Sequence, residues 1–322
     1  MNQKGRGLDA SLFLGPLLRT LMIKNEFDNN IKHQGEYDKN LLPNNPEQFL
    51  LTELVNGAIQ ILKNLNTPSL VYLHFYPPHH PYTPTKKFAN AFNKSKETII
   101  EKPYHQLVES KKTFSSTLLK NQQYDRFLAS WDSELERLYQ FIEKSGLREK
   151  SYIMITSDHG ELFERGEADH MTPLLNQPVV RVPLIISYPG VSERKDIHST
   201  TSSVDILPTI AQLSGKTKPD WVDGQILPGF GGTEDSERSV YCFEAKENSS
   251  FGPFIKYSIA LSKNNKRLLY YNYDNYKEFE FYDLDTDPEE MNNLYPAQSA
   301  DVKIMEQELL QKIDEISVSI KK

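Results

Sequence analysis

A single cysteine, Cys242, stands among 322 residues. It rules out an intrachain disulfide and any cysteine-built structural zinc site. Positive charge is also in short supply, with 37 Lys and Arg against 44 Asp and Glu and a formal net charge of -7. That balance is the opposite of the basic footprint of a general nucleic-acid binder. A mildly acidic chain that takes an anionic substrate needs local positive charge, which a bound metal supplies. Long apolar runs are missing as well, and no stretch approaches the ~20 residues needed to span a bilayer. The opening MNQKGRGLDASLFLGPLLRTLMI has an apolar patch, but Gly15, Pro16 and Arg19 break it and no small-residue cleavage site follows. It is therefore not read as a signal peptide, and the compartment stays open. There is no internal repeat.

What the chain does have is a short apolar run, Tyr152 to Ile155, that ends abruptly in Asp158-His159-Gly160. The run predicts a strand buried on both faces, as in a parallel sheet covered by helices. Chemistry in open α/β sheets gathers beyond the carboxyl ends of strands. A carboxylate beside an imidazole there is a candidate half of a divalent-metal site, and Gly160 is expected to permit a sharp turn after it. Glu161 follows directly, His170 comes soon after, and a second apolar strand is predicted over 182–187.

Upstream, apolar spacing predicts an amphipathic helix over 46–65 and a buried strand over 69–75. That strand runs into Pro77-Pro78-His79-His80-Pro81-Tyr82, which places His79 just past its carboxyl end. Residues 88–123 read as an irregular lysine-rich excursion, and a long helix is expected over 124–146. A short helix follows at 204–213. The Gly-, Pro- and acid-rich stretch 221–239 marks a boundary between an α/β domain (1–220) and a C-terminal α+β subdomain (239–322). The latter is expected to hold strands at 239–243, 257–261, 267–272 and 278–284 in an antiparallel sheet, and a helix at 301–320.

Taken together, five segments resemble the later part of a sulfatase, within the alkaline phosphatase superfamily. They are HHPYTP at 79–84, the stretch from YDRFLASWD to TSDHGE at 124–161, RVPLIISYPG at 181–190, SVDILPTIAQLSG at 203–215 and FYDLDTDPEEMNNL at 281–294. The resemblance implies an α/β fold, a mostly parallel sheet flanked by helices and incomplete at its N-terminus, with a small C-terminal antiparallel sheet plus helix. It implies that Asp158 and His159 ligate a divalent metal, calcium in a sulfatase and manganese or zinc in a related phospho-transferase. It places His79 near the sulfate and His170 where relatives keep a substrate-binding or leaving-group-protonating residue. Arg181, Asp205 and Pro208 are expected to be structural, and the run Asp283, Asp285, Asp287, Glu289 lacks the pattern of an EF-hand loop.

The family's Cys- or Ser-x-Pro-x-Arg motif, whose first residue matures to the formylglycine nucleophile, does not occur in this sequence. Cys242, followed by Phe243 and Glu244, lies in the wrong part of the chain to replace it. The expectation is therefore a sulfuric ester hydrolase by family, in an incomplete chain that alone is inactive and that pairs with a missing N-terminal half or with copies of itself. A phosphoryl or phosphoglycerol transferase or phosphoesterase of the same superfamily, and a non-catalytic anion- and metal-binding relative, are the alternatives. The expected partner is a sulfate- or phosphate-ester substrate, with no nucleic acid and no membrane span.

Overall fold

The computed structural model describes residues 50–92, 100–109, 111–248, 253–296 and 299–319. The chain divides into two compact units, one drawn from 1–100 and 115–153, the other from 101–114 and 154–322.

In the first unit, helix α1 (Leu51–Lys63) buries Leu51, Val55 and Ala58, the three-to-four spacing that the sequence shows. Helix α2 (Phe114–Lys144) buries Phe127, Trp131 and Leu138. Arg137 joins them, donating to the Thr52 carbonyl at 2.9 Å and the Asn56 side chain at 2.7 Å while pairing with Glu134 at 2.6 Å. Helix α2 starts at Phe114, not near Tyr124 as periodicity suggested, because its opening Phe-Ser-Ser-Thr-Leu-Leu-Lys-Asn-Gln-Gln holds too few apolar residues to mark a stripe. The predicted strand at 69–75 is not a strand. Its backbone has no ladder partner among the described residues, and Leu70 is 76% exposed.

The second unit holds two sheets. Strands β1 (Ile153–Thr156) and β2 (Leu184–Ser187) form a two-stranded sheet. Among the described residues, this pair is all that corresponds to the expected mostly parallel core. Both-face burial needs covering layers, and here Ile155 is 41% and Ile185 60% exposed. Between them lies a single helical turn, α3 (Gln177–Val180), closed at its end by the Arg181 N–H on the Gln177 carbonyl at 2.8 Å. Helix α4 (Ile206–Leu213) follows a 3-10 turn at Ser203–Asp205.

The C-terminal region matches its expectation. Strands β3 (Val240–Glu244), β4 (Tyr257–Lys263), β5 (Lys266–Tyr273) and β6 (Tyr276–Asp283) make an antiparallel meander, followed by helix α5 (Ala300–Ser319). The β4–β5 turn uses Asn264 and Asn265, both at positive φ, the conformation that asparagine tolerates in a two-residue hairpin.

Alternation along these strands gives the sheet two buried faces. Tyr257, Ile259, Leu261, Leu268 and Phe281 pack on Val302, Met305 and Leu309 of α5. Ala260, Leu269, Tyr271 and Tyr282 point the other way, onto Val108, Leu162, Leu174, Leu175 and Val179. The last four of these flank the loop after β1. The C-terminal sheet is thus the platform under that loop, and the compositional break at 221–239 falls inside the second unit.

Candidate metal and active site

Strand β1 delivers Ser157, Asp158, His159 and Gly160 at its carboxyl end. Gly160 has a different job from the one expected, since its φ is not positive. A Cβ there would lie 2.0 Å from the Pro178 carbonyl oxygen. The backbone needs that closeness to pair with α3. The Gly160 N–H donates to the Val179 carbonyl at 2.7 Å and the Glu161 N–H to the Pro178 carbonyl at 3.0 Å.

With the backbone fixed, the two side chains take defined roles. His159 Nδ1 donates to the Gly160 carbonyl at 2.8 Å, which sets the tautomer and leaves Nε2 with the lone pair. Asp158 accepts the His159 N–H on Oδ1 at 3.0 Å, and its Oδ2 lies 3.8 Å from His159 Nε2. Two ligands bound at 2.0–2.6 Å to one ion stand at most about 4–5 Å apart, so this pair fits a shared divalent metal. Both are partly open to solvent, as an ion-exchanging half-site requires.

His170 joins them from the next loop. Its ring stacks on that of His159, with centroids 4.1 Å apart and planes 21° from parallel. The segment 161–170 folds back as a hairpin through the Leu162–Asp169 bridge, with Arg165 and Gly166 at positive φ in the turn and Leu162 fully buried beneath. His170 Nδ1 lies 3.1 Å from Glu161 Oε1 and 3.5 Å from Asp169 Oδ1. Glu161, Asp169 and His170 place one potential ligand atom each within 4.8 Å of one another, so this loop carries a second cluster with metal-ligating chemistry. Sequence reasoning passed over Asp169 and gave Glu161 only its place in the chain. The signal was present, because Asp169-His170 repeats the Asp-His pair of 158–159.

His79 belongs to the first unit. It is half-buried, its ring lies 4.3 Å from that of Tyr76, and its Nδ1 donates to the His80 carbonyl at 2.6 Å. The HHPY segment is anchored by Tyr82, buried edge-on against Tyr124. His80 beside it is exposed.

Of the residues expected to be structural, Asp205 is the one whose side chain is tied most firmly into its own loop. Asp205 is fully buried and accepts two bonds from Arg238 at 2.6 and 2.7 Å, with the Ser202 and Gln225 N–H groups at 2.8 Å each. Burial alone would raise its pKa; the Arg238 and backbone hydrogen bonds outweigh it and hold the carboxyl below its ordinary value. The acidic run at 283–289 is spent on turns, Asp287 accepting the Met291 and Asn292 N–H groups at 2.9 and 2.8 Å. Burial pushes the half-buried Cys242 thiol up, away from nucleophilic use.

Glu290, at the end of that run, went unnoticed. It is buried at positive φ, pairs with Arg267, and accepts Asn176 Nδ2 at 3.1 Å and the Gln177 N–H at 3.0 Å. It thereby ties β5 to the start of α3, the turn that holds Gly160.

A family model described as Sulfatase matches residues 4–216, about two-thirds of the chain. The chain belongs to the sulfatase family. A second model, described as N-sulphoglucosamine sulphohydrolase, C-terminal, matches residues 170–319 of this sulfatase-family chain. Among curated proteins it is similar to an uncharacterized sulfatase, YidJ, of Escherichia coli K12, 27% identical over 258 residues, covering 74% of this chain and 50% of the relative. It is also similar to an N-acetylglucosamine-6-O-sulfatase of Bacteroides thetaiotaomicron, 30% identical over 206 residues, covering 61% of this chain and 36% of the relative. The chain thus spans half or less of the length of these relatives. Among solved structures, a phosphonate monoester hydrolase of Agrobacterium radiobacter shares the fold, with a TM-score of 0.68 at 19% identity over 83% of this chain and 60% of that one.

Proposed function

We propose that this chain carries the later portion of a sulfatase-type catalytic centre, in which Asp158 and His159 hold a divalent metal that binds the sulfate group of an ester substrate. The observation that carries the reading is the Asp158–His159 pair at the carboxyl end of β1. Gly160 O fixes the His159 tautomer there, and His170 lies stacked against the same ring. The metal, when bound, supplies positive charge against sulfate oxygens. Calcium is the expected ion, and manganese or zinc would accompany phosphoester chemistry. His170 would meet the substrate as an anion-binding or leaving-group-protonating imidazole, and His79 is assigned to the sulfate by its motif. Residues 1–220 are read as part of the catalytic domain and 239–322 as its C-terminal subdomain.

The sequence has no Cys- or Ser-x-Pro-x-Arg nucleophile. Removing the nucleophile from a set of cooperating groups abolishes most of the rate enhancement. The chain by itself should therefore bind metal and sulfate but not turn over an aryl sulfate, unless a polypeptide carrying the nucleophile segment is supplied. The test is calorimetric titration with Ca2+, Mn2+ and Zn2+, together with assays on aryl sulfate, aryl phosphate and phenylphosphonate. Metal binding that Asp158→Asn and His159→Gln each weaken at least tenfold is the expected result. Binding unaffected by either variant rejects the site. Turnover of aryl sulfate by the chain alone rejects its incompleteness, and preference for the phosphorus esters would move the assignment to the phospho-transferase branch.

A further inference from the structure

We propose that Glu161 is a positioning residue for His170, fixing which ring nitrogen is offered to a substrate. The proposal rests on the reading of His170 as a substrate-facing group. The first support is contact: the Glu161 side chain is only 5% exposed, and its Oε1 lies 3.1 Å from His170 Nδ1. A carboxylate is an acceptor only, so a hydrogen bond of this length puts the hydrogen on Nδ1. Under the substrate-facing reading, Nε2 is then the nitrogen that meets an ester oxygen.

The second support is that Glu161 is itself immobilised. Its N–H is held by the Pro178 carbonyl, and the next residue, Leu162, is fully buried in the core beneath the C-terminal sheet. The third is register. Leu162 and Asp169 are bridged antiparallel, so Glu161 and His170 are the next facing pair on the hairpin. A ring held by a carboxylate at one nitrogen and by the His159 face at 4.1 Å has little freedom left.

Asp169 is the competing partner, and it loses. It is 52% exposed, lies further away at 3.5 Å, and its Oδ1 already accepts the Met171 N–H at 3.0 Å. A metal held by Glu161, Asp169 and His170 is the competing occupant. Hydrogen and metal cannot share Nδ1, so one measurement separates the two. The geometry is that of a base oriented by a buried acceptor, the arrangement by which a third group fixes a catalytic imidazole elsewhere.

The test is 15N spectroscopy of the imidazole rings in the full chain, with His159→Gln and His170→Gln used for assignment. His159 is an internal control, because its Nδ1–H is held by the Gly160 carbonyl and owes nothing to Glu161. Both rings are expected to carry hydrogen on Nδ1. Glu161→Met, which removes the acceptor, should abolish the Nδ1–H form of His170 while leaving His159 unchanged; Glu161→Gln, which keeps an acceptor oxygen, should restore it. An Nε2–H ring at His170 in the unmodified chain would overturn the proposal, even if Glu161→Met failed to fold. A tautomer indifferent to Glu161→Met, or zinc bound at His170 Nδ1, would do the same. Failure of the broader reading looks different: His170→Gln would leave inorganic sulfate binding unaltered while the tautomer result stood.

Discussion

The two sheets of the second unit share a chain and little else. The four-stranded sheet is buried on both faces, by α5 on one side and by the site loop on the other, and its buried charges are met by partners. The two-stranded sheet presents Ile155 and Ile185 to solvent, and its exit loop concentrates Asp158, His159, Asp169 and His170 with their polar atoms partly open. Structure and chemistry are thus divided. The C-terminal sheet is the buried platform, and the short β1–β2 sheet carries the proposed site at its strand end. The link between them is Glu290, which reaches from the acidic segment after β6 to the start of α3, against which Gly160 rests.

That division is most directly broken at the link. Arg267 bonds both Glu290 and the Leu175 carbonyl from within the core. Removing one member leaves an uncompensated buried charge, which costs about 3–5 kcal/mol. Glu290→Ala should therefore lower unfolding stability by about that amount in urea, and weaken metal binding although it touches no ligand. A variant that lost stability but bound metal normally would show that the platform and the site are independent.

The Asp205–Arg238 pair tests a region where burial and charge coincide away from the site. Asp205→Asn should cost about 3 kcal/mol by stranding Arg238. The pH dependence has a definite sign. Because the folded-state pKa of Asp205 is held below the ordinary value of about 3.9, its contribution is fully present above that pH and is lost as pH falls through the lower folded value. The acid-side loss of stability, followed by circular dichroism, should shrink in Asp205→Asn; an unchanged acid limb would mean that other carboxylates carry it.

The same contrast explains what could be read in advance. The C-terminal strands were legible because alternation, two-residue turns and β-branched or aromatic content all agree, and the helices because their apolar faces recur at three and four. The position of Asp158 and His159 just past a strand end was legible because the apolar run before them marks the strand. The segment 69–75 misled because an apolar run records a demand for burial without saying whether a neighbouring strand is there to meet it. Gly160 was noticed for the wrong reason, since close approach to the Pro178 carbonyl is a tertiary fact. Glu290 and Arg238 were missed because ion pairs and hydrogen bonds between segments distant in sequence leave no period, whereas Asp169 was passed over although it repeats the Asp-His pair.

Gly160 gives the next, smaller effect. An alanine Cβ 2.0 Å from a carbonyl oxygen forces the loop away from α3, an overpacking that costs about 1–3 kcal/mol. The Asp158–His159 pair would shift with it, and loss of such outer support weakens metal affinity about 10–100-fold. Calorimetry on Gly160→Ala should register both changes; metal affinity equal to that of the unaltered chain would show that the pair is positioned by β1 alone.

The smallest effect discriminates most sharply between the sheets. Leu268, fully buried against α5, should cost about 2–5 kcal/mol as Leu268→Ala, the penalty of an emptied core site. Ile155→Ser and Ile185→Ser, made on strands of similar apolar character, should each change stability by no more than about 0.5 kcal/mol, because so much of each side chain already lies in water. Serine at these positions should also reduce self-association in sedimentation, since it shrinks the exposed apolar surface of the pair. A loss above about 2 kcal/mol from either serine variant would place a covering layer over β1 and β2, and would erase the distinction between a complete sheet and an open one.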